Sequence, residues 1–203
     1  MYCDIKKREA AAAAVQCTVT QKSEKQLLQE YIYNQRPCLL DLEIAFTVER
    51  QNKKIPLRID LVRLNADNGV QLQFVEAKRV TDTRLRAEHM EPEIFGQMTD
   101  YARFLKSAKN NILESYQGIC SNYLENFNYL FSFKEHEDLL NSFRAEAKRV
   151  ILPPTLLLLS DEQEAKKALR GARGKNGGDH YKTLKDKFDE KGWILETLPS
   201  QVD

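Results

Sequence analysis

Two alternating runs, "IPLRIDLVRL" and "VQLQFVEAKRV", stand on either side of "NADNG" and leave this chain few ways to fold. Asn and Gly at such a junction mark a hairpin turn. A three-residue loop, Asp67-Asn68-Gly69, with Gly69 in the left-handed conformation, pairs Leu64 with Leu72, Val62 with Phe74 and Asp60 with Glu76. On the other face it sets Leu61 against Val75, Ile59 against Ala77 and Arg63 against Gln73. A two-residue Asn68-Gly69 turn sets Asp60 against Ala77, Leu61 against Glu76 and Arg63 against Phe74. A one-residue slip turns a strand's faces over, and here it mixes charge with apolar groups throughout. The three-residue register is the coherent one.

That register places Asp60, Glu76 and Lys78 on one face at one end of the hairpin. Carboxylates directly opposite each other across two strands repel. A cation between them removes the conflict, and Mg²⁺ suits such a pair because it takes one or two carboxylates and keeps several waters. Lys78 on the same face could orient or deprotonate an attacking water, or neutralise charge developing on a phosphate. The plainer reading is that Lys78 bridges the two acids as a surface salt cluster. The hairpin by itself leaves both open.

Around the hairpin the chain reads as an α/β domain with a central mixed β-sheet flanked by helices. Residues 5–16 look like a helical arm of alanine and charge. Ser23 can cap a helix through "SEKQLLQEYIYNQ", with Leu27, Leu28, Tyr31 and Ile32 as its apolar stripe and Pro37 beyond its end. "CLLDLEIAFTVE" alternates as a strand, and "RQNKK" as a turn. Helical patterns run over about 85–106, 109–126 and 134–148. "TLLLLS" reads as a buried strand, "DEQEAKKALRGA" and "DHYKTLKDKFDEK" as helices, and "WILETL" as a last strand. The expected layout over 1–203 is a single domain: an N-terminal arm (1–20), a core (22–106), and a helical insertion with the remaining strands and helices (107–203).

The helix after the second strand of the hairpin adds a more selective feature. In "EIFGQMTDYARFL", Gln97 and Tyr101 are spaced i and i+4 and so share a helical face. Asp60 in "RID", Glu76-Ala77-Lys78 in "VEAK", and this Gln97/Tyr101 pair together resemble the PD-(D/E)XK nuclease superfamily, closest to its RecB-like branch with a QxxxY element. The resemblance covers roughly residues 24–105. It implies a restriction-endonuclease-like core and a metal-dependent nuclease hydrolysing phosphodiester bonds of DNA, in defence, repair or recombination. By that resemblance Asp60, Glu76 and the carbonyl of Ala77 hold Mg²⁺ or Mn²⁺, and Lys78 positions the nucleophilic water. Gln97 and Tyr101 contact the substrate backbone or brace Lys78. A further Glu on the helix before the sheet is expected to join them: Glu30 first, Glu24 second, with Glu43 on the neighbouring strand third. The chain departs from the family in lacking a Gly or Pro before the catalytic Asp and a four-cysteine iron–sulfur arrangement. "GARGKNGG" does not have the ending or spacing of a P-loop.

Partners follow from charge and composition. With 31 Lys and Arg against 30 Asp and Glu the net charge is +1, so any basic surface must be local. Lys78, Arg79, Arg84 and Arg86 lie beside the expected site. Arg173 and Lys175 belong to a second, glycine-rich basic stretch; Arg79, Arg84, Arg86, Arg173 and Lys175 are the candidate phosphate contacts. The expected partner is nucleic acid, DNA rather than RNA. Many nucleases of this fold act as dimers, and a homodimer is carried over on that ground alone. The alanine run near the N-terminus and "VILPPTLLLLS" are too short to span a bilayer, so the expectation is a cytoplasmic protein without a membrane partner. Cys3, Cys17, Cys38 and Cys120 show no metal-binding spacing and read as buried or incidental thiols. His89, His136 and His180 are scattered, with His89 the only one placed near the expected site. The competing functions are a module of this fold that binds nucleic acid or protein without cutting, and a structural protein in which Glu76 and Lys78 form only an ion pair.

Overall fold

A computed structural model describes residues 22–50, 53–66, 69–86, 91–126, 134–145, 150–161 and 180–197. The expected N-terminal arm, the helix in "DEQEAKKALRGA" beyond its first residue, His89, Cys3, Cys17, Arg173 and Lys175 lie outside them.

The Ser23 signal is realised in full. Its hydroxyl accepts from the Gln26 backbone N–H, and the Gln26 side chain accepts from the Ser23 N–H, opening helix α1 (Glu24–Gln35) with a capping box. The helix stops where Arg36 turns left-handed (φ +45°) ahead of Pro37. Strands β1 (Cys38–Arg50), β2 (Lys53–Asn65) and β3 (Gln71–Arg79) follow. After a 3₁₀ turn (Thr83–Leu85) come helices α2 (Glu93–Ser107), α3 (Lys109–Asn126) and α4 (Lys134–Ala145). The chain then returns to the sheet as β4 (Val150–Ile151) and β5 (Thr155–Leu159), and the described residues close with α5 (His180–Lys191) and β6 (Ile194–Thr197). The short β4 was not evident in the sequence. Pro153 and Pro154 separate it from β5, because proline has no N–H to give the ladder.

The six strands form one mixed sheet in the order β1-β2-β3-β5-β6, with β4 also beside β3. β1, β2 and β3 pair antiparallel; β3–β5 and β5–β6 pair parallel. The hairpin register is the three-residue one: Leu64↔Leu72, Arg63↔Gln73, Val62↔Phe74 and Leu61↔Val75, with Gly69 at φ +86°. The β2–β3 ladder stops at Leu61↔Val75, while β2 stays paired with β1 to Lys53↔Arg50 and β3 continues against β5 to Arg79↔Leu159. The two strands therefore fork at the very residues that carry Asp60 and Glu76.

Both faces of the sheet are covered, which is why β3 and β5 are buried along nearly their whole length. On one face, Leu27 and Tyr31 of α1 pack on Leu61, Val75, Ala77, Leu157 and Leu159. On the other, the larger core joins Val62, Leu72 and Phe74 to Ile94, Phe95, Met98 and Tyr101 of α2, with α3, α4 and α5 completing the layer. Cys38 and Cys120 are buried thiols within this core, and burial pushes Cys38 up to about 12. No described helix is long and apolar enough to cross a membrane.

Candidate functional site

The site lies at the carboxyl end of β3, where a parallel pair begins and the β2 prong swings away; such ends are where open α/β sheets place their ligands. Asp60, on the β2 prong, no longer faces a ladder partner. Its Oδ2 instead accepts the Ala77 backbone N–H at 2.7 Å, satisfying a donor that the fork leaves unpaired. Glu76 and Lys78 follow on β3, each only 3% exposed.

Glu76 is the hub of this end of the sheet. Its carboxylate accepts from Lys78 Nζ in a very close contact. It also accepts from Gln97 Nε2 at 2.7 Å and from the Tyr101 hydroxyl at 2.8 Å, while Gln97 Nε2 lies 2.6 Å from the Tyr101 oxygen. The i, i+4 pair on α2 thus acts on one target, as its shared face implied. That target is Glu76, not Lys78 as the brace reading expected, because α2 crosses the sheet over Glu76. The Tyr101 hydroxyl also contacts the Arg58 carbonyl of β2, so α2 is tied to both prongs of the fork.

The Lys78 ammonium occupies the point on which the oxygens converge. Besides Glu76, it donates to the Ala77 carbonyl at 2.8 Å and lies 3.8 Å from Asp60 Oδ2 and 4.0 Å from Glu24 Oε1. Glu24, in the first turn of α1, also accepts the Arg79 backbone N–H at 3.1 Å, which holds its carboxylate at the strand end.

Glu24 therefore takes the place expected first of Glu30. The two are six residues apart on one helix, about 240° around its axis, and cannot face the same way. Glu30 is half-exposed and paired with Lys22 at 2.7 Å, beside Gln26, Gln29 and Tyr33. Glu43 sits at a left-handed position (φ +51°) on β1, close enough for its charge to act on Asp60, but its carboxylate is exposed and held by Lys25 at 3.2 Å. Of the basic residues, Arg79 is spent on the Lys22 carbonyl at 2.5 Å and Asp161 at 3.4 Å. Arg84 is paired with Asp82, and Arg86 is exposed. Asp82 was not among the expected site residues, and its local signal is an acid capping its own turn two residues before an Arg.

Compared with protein-family models, with curated proteins and with solved structures, the chain matches none.

Burial raises the Asp60 carboxyl above its ordinary value, against the pull of Lys78 and of the Ala77 N–H. Burial raises Glu76 as well, and the neighbouring Asp60 charge adds to it, against Lys78. Tyr101 is pushed up by burial and then by Glu76, so it stays a hydroxyl donor. Lys78 thus does not offset what burial costs Asp60 and Glu76. Among the described residues no three His, Cys, Asp or Glu side chains are gathered into a ready-made metal cage. The donors around Lys78 are all hard oxygens, three carboxylates and one carbonyl, which is the ligand chemistry Mg²⁺ and Mn²⁺ take. In donor chemistry, though not as a preformed cage, these residues suit such an ion.

This strain has a measurable sign. A carboxyl raised on folding makes the native state bind protons more tightly than the unfolded chain. Its contribution to stability is then greatest in acid and falls as pH rises above the ordinary values of 3.8 for Asp60 and 4.5 for Glu76. Asp60→Asn keeps an acceptor for the Ala77 N–H but carries no charge. It is expected to melt above the wild type at neutral pH, with the difference closing as the pH falls into the carboxylate range. A melting temperature at or below wild type at neutral pH would count against a strained site.

Proposed function

We propose that this chain is a metal-dependent phosphodiesterase with a restriction-endonuclease-like core, acting on nucleic acid and on DNA in preference to RNA. The observation that carries the reading is the convergence of Asp60, Glu76, Glu24 and the Ala77 carbonyl on one cation position at a fork in the sheet, with a lysine already there.

Asp60, Glu76 and the Ala77 carbonyl would hold Mg²⁺ or Mn²⁺, with Glu24 at the edge. Such an ion, when bound, would supply Lewis acidity toward a phosphoryl oxygen and a water made nucleophilic near neutral pH. Gln97 and Tyr101 fix the Glu76 carboxylate by two hydrogen bonds, so the ligand is oriented before anything binds. The Arg79 N–H does the same for Glu24, and the Ala77 N–H for Asp60. Lys78 would hold the attacking water by its lone pair or face the charge that grows on the phosphate. Burial of Lys78 and Glu76 keeps these interactions in a low-dielectric setting, where they are worth more than in water.

One observation favours a second reading. The direct Lys78–Glu76 contact already fills the cation position, as it would in a module of this fold that binds nucleic acid or protein without cutting. Incubation of the purified chain with supercoiled plasmid, linear duplex and single-stranded DNA, in Mg²⁺, Mn²⁺ or EDTA and beside Lys78→Ala, separates the two. The expected result is metal-dependent cleavage, lost in EDTA and reduced at least about a hundredfold in the variant. Retained binding with no cleavage under any of these metals supports the second reading, and equal cleavage by Lys78→Ala overturns the assignment of Lys78.

A further inference from the structure

The 3₁₀ turn directly after β3 holds a feature that the proposed reaction does not yet use. Asp82 caps this turn by accepting the Arg84 backbone N–H at 2.8 Å, and its own N–H donates to the Arg79 carbonyl at 2.8 Å. The same carboxylate takes the Arg84 guanidinium side-on, with Nε at 3.0 and 3.2 Å and Nη2 at 2.5 Å. Asp82 is the fixed partner, with its side chain 12% exposed, and Arg84 the open one at 41%. Pairing through the Nε–Nη2 edge leaves the Nη1 edge outside the pair, and a guanidinium used in this way can still take a phosphate oxygen.

The surroundings say what this pair prevents. Arg84 lies near enough to Glu24 and Glu76 for both charges to act on it, and Lys78 acts likewise on Asp82. Three carboxylates, Asp60, Glu76 and Glu24, stand around the one ammonium of Lys78. An Arg free to reach these carboxylates would compete with a divalent ion for the same oxygens. The fixed carboxylate of Asp82 offers the guanidinium a nearer partner with better geometry.

We infer that Asp82 is a positioning residue: it withholds Arg84 from Glu24 and Glu76, keeps those oxygens available to the metal, and presents the free edge of Arg84 to a phosphate of the bound strand. This rests on the metal-dependent reading above and extends it to the substrate contact. Of the two described candidates that carry side-chain partners it favours Arg84, since Arg79 is already engaged on its backbone and acidic partners.

The test uses the full chain in four forms: wild type, Asp82→Asn, Arg84→Gln and the double variant. Asn keeps the oxygen that caps the turn and removes only the charge. Mn²⁺ alone is titrated, read as the rise in melting temperature and by calorimetry. Asp82→Asn is expected to need about ten times more Mn²⁺ for half-saturation, and the double variant is expected to return to the wild-type value or better. A merely structural role for Asp82 cannot produce that recovery. Oligo-dT binding at several salt concentrations reads the second half: Arg84→Gln should lower the slope of log affinity against log salt by about 0.7, one single-strand phosphate contact. Unchanged Mn²⁺ affinity in Asp82→Asn, weakening that the second substitution does not reverse, or an unchanged salt slope in Arg84→Gln overturns the inference while leaving the metal site standing. A wild type that does not respond to Mn²⁺ overturns the metal reading and this inference with it.

Discussion

Glu76→Ala is expected to destabilise the protein by about 3–5 kcal/mol, whereas Glu76→Leu combined with Lys78→Met should fold within about 1 kcal/mol of wild type. The asymmetry follows from what each change leaves behind. Glu76 accepts hydrogen bonds from Lys78, Gln97 and Tyr101 at a position closed to water. Removing it alone strands a buried ammonium with only the Ala77 carbonyl close by and more distant acids around it. An unpaired buried charge is among the costliest defects a fold can carry. Removing both charges leaves an apolar pair of similar length beside Phe74 and Leu158, while Tyr101 keeps the Arg58 carbonyl and Gln97. Both variants should be inactive in the cleavage assay. Urea unfolding of the two, followed by circular dichroism, reads the stability difference. A double variant as unstable as Glu76→Ala would mean that the ion pair is itself a structural support, and the case for a site kept at a cost in stability would fall.

Arg63→Ala should cost about as much for a different reason, at the other end of the sheet and on its opposite face. Arg63 donates to Gln73 at 2.7 Å and to both carboxylate oxygens of Glu196 at 2.5 and 2.6 Å, and contacts the Tyr31 hydroxyl of α1. Gln73 in turn donates to Thr155 and to Glu196, both at 2.9 Å. One polar side chain from each of β2, β3, β5 and β6 thus joins a row across the sheet, and α1 docks on it through Tyr31. Arg63 is 12% exposed and Glu196 27%, so the pair is shielded but not sealed. Loss of the fork leaves Glu196 and Gln73 without their main donor, at about 3–4 kcal/mol, which lowers the melting temperature of a chain this size by on the order of 10 °C. Arg63→Lys should recover only part of this, since an ammonium cannot span both oxygens of Glu196 while reaching Gln73. A melting temperature of Arg63→Ala within a degree or two of wild type would show that the row adds order but little stability.

How much of this could be read in advance differs from element to element. The hairpin register was legible because a turn and a two-residue alternation are local: Arg63 opposite Gln73 and Val62 opposite Phe74 follow from neighbours within about a dozen residues. Ser23 as a cap and Gln97 with Tyr101 on one face were legible for the same reason, being matters of one helical turn. What the alternation did not reveal is that the ladder ends at Leu61 and Val75, so Asp60 meets the Ala77 N–H instead of a carboxylate directly across the strands.

The choice of Glu24 over Glu30 was beyond the sequence. Both are helix-surface acids, and which one faces Lys78 depends on the rotation of α1 set by Leu27 and Tyr31 packing on the sheet. The basic residues misled in the same way. Arg79 and Arg84 read as free positive charge, yet folding brings Lys22 and Asp161 to the first and turns Asp82 onto the second. Arg63 and Glu196 are 133 residues apart and carry no local sign of each other.

The sequence by itself determined the longer strands, the register of the β2–β3 hairpin and the faces of the helices, because each of these depends on spacing along the chain. Only the tertiary structure decided which charges meet and which are already satisfied. A charge interacts through space with whatever the packing of helices and sheet brings within a few ångströms, and that distance is unrelated to separation along the chain.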